Sequence, residues 1–211
     1  MTDRRHAAAL GIGLVAVAVF APLLRYEIVL LDPVPFGVPV LEPRANLVLH
    51  GVNAALVLLL LVRLTGTLLP SALAAALFAL HPLRVESIAW IASGRDLLGM
   101  TAAFSALLAY EGWARRAGWW RYTIAVLSYA VAIAATRLVA PLPMLLLLLD
   151  AWPLARLDPI APALDPRLGR RLAEKAPFAL AAALGLAFAT APTVPPAPAS
   201  LAVTIANGFA N

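Results

Sequence analysis

Apolar residues run in long blocks along this chain, and polar residues punctuate them. A helix needs about 20 mainly apolar residues to cross the hydrocarbon core of a bilayer, with about 17–25 tolerated. On that measure seven blocks are predicted to form helical spans, over 7–24, 46–63, 68–82, 97–113, 122–136, 138–153 and 176–191. The third and sixth are the shortest. Pro141 and Pro143 are expected to kink the sixth, because proline removes a helical hydrogen bond and neighbouring helices must cover the freed carbonyls.

The polar positions inside these blocks are informative because each is costly against lipid. Asn46, His50 and Asn53 are spaced i, i+4, i+7, which places them on one face of a helix. His81 and Pro82 end the third block, and Arg84, Glu86, Arg95 and Asp96 follow before the fourth. Arg137 falls in the turn between the fifth and sixth. All of them fall toward the same side of the alternating spans, as groups lining one cavity open to that side would. Each also has a plainer reading. Asn46 and Asn53 would glue helices by hydrogen bonds, and His50 would be a buried donor. Arg84 with Glu86, and Arg95 with Asp96, would neutralise each other at the interface. His50, His81, Glu86 and Asp96 offer hard nitrogen and oxygen ligands for a divalent ion. No pair has metal-motif spacing, so no metal ligand is assigned. In "LLLLLDAWPLAR", Asp150 closes an apolar run and reads as a helix-end anchor or a cap for the next turn. Trp152, with Trp90, Trp113, Trp119 and Trp120, suits headgroup level.

Basic residues set the orientation. With the N-terminus in the cytoplasm, Arg4, Arg5, Arg63, Arg115, Arg116, Arg121, Arg156, Arg167, Arg170, Arg171 and Lys175 lie inside, eleven of the sixteen Lys and Arg. That excess supports N-in, with the polar loop 154–175 cytoplasmic and 83–96 outside. Composition agrees: 63% of the 211 residues are hydrophobic and 13% charged, where an ordinary globular domain is about half apolar and a quarter charged. The expected fold is therefore an all-α polytopic membrane bundle. The net charge of +5 is spread between apolar runs without a basic face, so a nucleic-acid partner is not expected. There is no cysteine, which excludes disulfides and thiolate metal sites. The opening "MTDRRHAAALGIGLVAVAVFAPLL" reads as an uncleaved first span. Residues 1–192 form the membrane domain. The Pro-rich 193–211 segment reads as an extracytoplasmic tail of a truncated or reduced chain. No Gly-rich phosphate loop, nucleophile elbow or His-Asp-Ser set is present.

Three stretches carry a resemblance. "NLVLHGVNAALVLLLLVRLTG", "LFALHPLRVESIAWIASGRDLL" and "LLLLLDAWPLAR" resemble, in order and rough spacing, the transmembrane and tetratricopeptide-repeat O-mannosyltransferases and their bacterial relatives. "LAVTIANGFAN" looks like the family segment after the seventh span, and the likeness covers roughly residues 20 to 211. It implies a GT-C glycosyltransferase membrane module in a bacterial inner membrane. Such a module takes mannose from a polyprenyl-phosphate donor and transfers it to protein hydroxyls on the extracytoplasmic face. Its partners are then membrane lipid, the lipid-linked sugar and a protein acceptor, with no certain cofactor and a divalent metal ranked low. Residue by residue, His81, Glu86 and Asp96 match the family's outer-loop motif, and Asn46, His50 and Asn53 match its Asn-Leu-x-x-His-x-x-Asn helix. Glu86 and Asp96 are the catalytic candidates. Arg84, Arg95 and Arg137, with Asn46, His50, Asn53 and His81, are the candidates for binding the substrate and the donor lipid phosphate. The family's acidic residue, often an Asp pair, lies in a long first outer loop. Here residues 25–45 offer only Glu27, Asp32 and Glu42, and none matches the motif. The family's Ser-Lys-Pro reads "ATRLVAP", with Arg137 in place of the Lys one position on. The missing acidic pair makes a non-catalytic membrane subunit or scaffold the alternative function. A small transporter ranks third, because neither repeat symmetry nor paired broken helices are visible.

Overall fold

The computed structural model describes residues 2–25, 43–90, 93–158, 160 and 165–190. Glu27, Asp32, Glu42 and the tail 193–211 lie outside the described residues. Among the described residues the structure is all-helical. The helices are α1 (Thr2–Phe20), α2 (Pro43–Thr65), α3 (Leu68–Leu80), α4 (Arg84–Ala89), α5 (Gly94–Arg116), α6 (Trp119–Ala135), α7 (Leu142–Ala151), α8 (Leu168–Ala173) and α9 (Ala176–Thr190). Short 3-10 turns at Ala21–Arg25 and Arg137–Val139 extend α1 and lead into α7. Each of the seven apolar blocks holds one helix of 10 residues or more, and α4 and α8, of 6 residues each, lie between blocks. Two helices are long and apolar enough to cross a membrane, Asp3–Arg25 and Arg44–Thr65.

The prolines of the sixth block start a helix instead of kinking one. Pro141 is the N-cap of α7, and Pro143 sits in its first turn. The missing N–H is harmless there, because the first-turn N–H groups have no intrahelical partner. The cost is length: α7 has 10 residues, about 15 Å at 1.5 Å per residue.

Packing fixes the direction of each helix. α1 runs antiparallel to α2, with Ala9 against Leu58 and Val62 in one layer, Ala16 against Ala54 in the next, and Phe20 against Leu47 in the last. Gly13 and Gly51 make this approach close. A Cβ on Gly51 would lie 2.7 Å from Val17 Cγ2 and 3.0 Å from the Gly13 carbonyl oxygen. α3 returns along both helices, joining Ala75 to the first layer and Ala79 to the second. The larger core lies among α5, α6, α7 and α9, where Leu107, Tyr110, Tyr129, Leu146 and Phe178 are buried together. α5 and α6 are antiparallel and tight, since a Cβ on Gly99 would lie 2.3 Å from Thr136 Cγ2.

The bundle therefore has two ends. α1, α3, α6 and α9 begin where α2, α5 and α7 finish, and this basic end holds the eleven Arg and Lys residues named above. The opposite end, here the histidine end, holds the turns at 21–25, 81–83 and 136–141, with the short helix α4.

Candidate functional site

At the histidine end, three buried polar side chains of α2 are spent on neighbouring backbone. Asn46 Nδ2 donates to the Trp90 carbonyl at 2.9 Å and the Ile88 carbonyl at 3.4 Å. His50 Nε2 donates to the Ala79 carbonyl at 2.8 Å. Asn53 Nδ2 donates to the Leu97 carbonyl at 3.0 Å, and Thr101 Oγ1 donates to Asn53 Oδ1 at 2.8 Å. Two of these acceptors have a simple origin. The last four carbonyls of a helix lack an intrahelical partner, and Ala79 and Ile88 lie in the final turns of α3 and α4. One stripe of α2, at i, i+4, i+7, thus holds the ends of α3 and α4 and the start of α5. His50 also sits between two rings, edge-on to Phe20 with centroids 5.6 Å apart and stacked on Phe78 at 6.1 Å. Asn46 Oδ1 and His50 Nδ1 are buried without a hydrogen-bond partner among the described residues.

The charged candidates lie outside this layer. His81 and Glu86 are exposed, as are Arg95 and Arg137, and Asp96 is half-buried. Arg84 is partly fixed. Its guanidinium lies 4.3 Å from the Phe78 ring centroid, and its Nε donates to the Phe78 carbonyl at 3.3 Å. A π-face and a carbonyl thus hold the cation at the outer edge of the His50 stack. All nine candidates meet at one end of the bundle, in two layers. Asn46, His50 and Asn53 form the inner layer that holds the helices, and the ionisable groups of 81–96, with Arg137, form the outer one. Among the described residues no ion pair joins Arg84 to Glu86, or Arg95 to Asp96, and no group of three His, Asp or Glu side chains is placed to hold a metal ion.

The basic end contains a site that sequence reasoning missed. Asp150 is fully buried at the end of α7. Tyr110 donates its hydroxyl hydrogen to this carboxylate, 2.9 Å from each oxygen. Arg156 Nη1 donates to Asp150 Oδ1 at 2.9 Å and to the Tyr110 oxygen at 2.9 Å. Lys175 Nζ donates to both as well. Arg156 Nη2 continues to Glu174 at 3.0 Å, and Arg171 Nη1 reaches the other Glu174 oxygen at 2.7 Å. Burial pulls the Lys175 ammonium below its ordinary value, against the opposing pull of Asp150. Asp150 is thus the centre of a buried ion network. The turn after α7 is closed by its backbone instead, since its carbonyl accepts from Arg156 N at 2.7 Å and Leu157 N at 3.0 Å. The signal for this role was available: a carboxylate at the end of five leucines needs a buried cationic partner.

The chain matches no family model, no curated protein and no solved structure.

Proposed function

We propose that this chain is a multi-pass membrane module of the GT-C glycosyltransferase kind. The helices of its seven apolar blocks would form the membrane bundle, with the N-terminus and the basic end in the cytoplasm and the histidine end on the extracytoplasmic side. The reading is supported by the apolar helices Asp3–Arg25 and Arg44–Thr65 and by large apolar side chains exposed along the helices, such as Leu14, Leu77, Leu127, Leu148 and Leu180. Such a surface is stable against lipid and unfavourable in water. The motif likeness of "HPLRVESIAW" and "NLVLHGVN" supplies the chemical class.

One observation carries the site assignment: His81, Glu86, Arg95 and Arg137 are exposed, while Asn46, His50 and Asn53 beneath them each bond neighbouring backbone. Arg84, Arg95 and Arg137 are then the cations for a polyprenyl-phosphate leaving group, stabilising it by charge-assisted hydrogen bonds. His81 lies beside them. Glu86 and Asp96 are the carboxylates available to orient those cations or to take a proton from an acceptor hydroxyl. The role of Asn46, His50 and Asn53 is to position the end of α3, the end of α4 and the start of α5, which carry these groups.

The test is binding of polyprenyl-phosphate mannose to the full chain in detergent. Losing one charge-assisted bond to phosphate is expected to weaken binding roughly ten- to a hundred-fold in Arg95→Ala. Arg170→Ala, at the basic end, should change it little. Equal binding by the two variants, or no binding by the parent chain, removes the donor-site reading. The second reading, a scaffold that keeps the fold without the chemistry, is favoured by the bonds from Asn46, His50 and Asn53 to the backbone of neighbouring helices. Glu86→Gln separates the two, because it should abolish transfer in an enzyme and leave a scaffold's partner binding intact.

A further inference from the structure

The chain's whole net charge of +5 belongs to segments at the basic end. Eleven Arg and Lys residues fall there against six acidic residues, Asp3, Glu111, Asp150, Asp158, Asp165 and Glu174. The remaining five basic and five acidic residues of the sequence cancel one another. Part of the excess is organised into a surface where α2 and α5 end and α6 begins. Glu111 is buried beneath it and pairs with both Arg63 and Arg115, whose side chains stay 44% and 45% exposed. One carboxylate thus orders two cations and neutralises only one. Arg115 Nη2 also donates to the Arg63 carbonyl at 3.1 Å, which ties the two helix ends together. Across the Ala117–Gly118 turn, Arg121 Nη1 donates to the Gly112 carbonyl at 3.3 Å, and its guanidinium lies 4.9 Å from the Trp120 ring centroid. Trp119 and Trp120 are 80% and 51% exposed, and Arg116 beside them is exposed with no ion pair among the described residues.

Freely solvated arginines would suffice to set topology. Arg63, Arg115 and Arg121 are held by a buried carboxylate, by backbone carbonyls and by an aromatic face, and with the exposed Arg116 they stand beside two exposed indoles. Indole rings settle at headgroup depth, and ordered guanidinium groups bind phosphate well because little rotamer freedom is left to lose. We propose that Arg63, Arg115, Arg116 and Arg121, with Trp119 and Trp120, form a binding surface for the headgroup of an anionic phospholipid. The proposal rests on the chain lying in a bilayer and is independent of any sugar transfer.

The test uses the full chain in a neutral detergent. Its thermal midpoint is followed while short-chain phosphatidylglycerol, phosphatidylcholine or inorganic phosphate is added. Phosphatidylglycerol should raise the midpoint in a saturable way, and the other two should not. A basic residue near an anionic lipid surface is worth about five-fold in affinity. The concentration giving half of the shift should therefore rise about five-fold in Arg116→Gln and more in Arg116→Gln with Arg121→Gln. Arg116→Lys should restore it. Arg25→Gln makes the same charge change at the opposite end and should leave it unmoved. Arg116→Gln removes an exposed side chain without an ion pair, so it reports even if the double variant does not fold. Equal shifts with phosphatidylcholine, a shift with inorganic phosphate alone, or equal losses in Arg25→Gln and Arg116→Gln would each overturn the proposal. The donor-site reading fails separately, since Arg95→Ala should leave the phosphatidylglycerol response intact.

Discussion

The two ends of the bundle solve the problem of polar groups in an apolar chain in opposite ways. At the basic end the buried groups are charged, and they satisfy one another: Asp150, Tyr110, Arg156, Lys175, Glu174 and Arg171 form one connected network. At the histidine end the buried groups are neutral, and they satisfy the backbone of adjacent helices. The difference decides what is left over. The buried charge of the basic end is consumed in holding α5, α7 and α9 together, and its surplus stands on the surface where α5 ends and α6 begins. At the histidine end neutral side chains do the holding, and charged ones are left at the surface. A cation locked in a buried, fully matched network is a poor candidate for a ligand, and one that keeps an exposed face is a good one.

The contrast is broken most severely at Asp150. Asp150→Ala would leave Lys175 and Arg156 buried without their anion, and breaking a buried pair from one side costs about 3–5 kcal/mol. The folded population should fall sharply in a thermal melt. Tyr110→Phe removes a neutral member of the same network, and about 1–3 kcal/mol is expected. Equal effects of the two changes would mean that the charges are not the source of the stability.

The neutral end is sharpened by Asn53→Ala, which removes the donor to the Leu97 carbonyl and the acceptor for Thr101. An expected loss of about 1–3 kcal/mol places it below Asp150→Ala. A test of the α1–α2 contact belongs in the same range. Gly51→Ala should cost about 1–3 kcal/mol by overpacking against Val17 and the Gly13 carbonyl. Gly11→Ala, where a Cβ would meet nothing within 4 Å, should be neutral or slightly stabilising. Similar melts for the two glycine variants would contradict the close approach.

The smallest effect is expected in the loop before α8. Arg167, through its guanidinium and backbone N–H, holds the Asp165 carboxyl well below the usual carboxylate range, and Asp158 N adds a further bond. A depressed carboxyl contributes stability that is present above its unfolded value and lost as pH falls through the folded one. Asp165→Asn should therefore flatten the loss of stability on acidification and lower the plateau near neutral pH. An unchanged acid limb would show that this turn contributes nothing.

Much of the helix layout was legible in the apolar blocks. The starts of α3 at Leu68 and α9 at Ala176 coincide with block edges, because a continuous apolar run that satisfies its backbone polar groups within itself is a helix. The i, i+4, i+7 stripe on α2 was legible for the same reason, since helical periodicity alone puts Asn46, His50 and Asn53 on one face. α4 and α8 were not, because six-residue helices are held by their surroundings and have no hydrophobic period of their own. The Asp150 network was also hidden. Tyr110 is 40 positions away and Lys175 is 25, so no local pattern joins them. The shortness of α7 follows from where its prolines fall in the first turn, which composition does not reveal.

On the proposed topology the two ends lie on opposite faces of a membrane, with the basic end inside. The chain has no cysteine, so single cysteines report cleanly. Ser93→Cys, before α5 at the histidine end, and Gly169→Cys, in α8 at the basic end, are read in intact cells with a membrane-impermeant maleimide. The account predicts that Ser93→Cys labels in intact cells, and that Gly169→Cys labels only after the membrane is permeabilised. Labelling of both positions from the same side would contradict it.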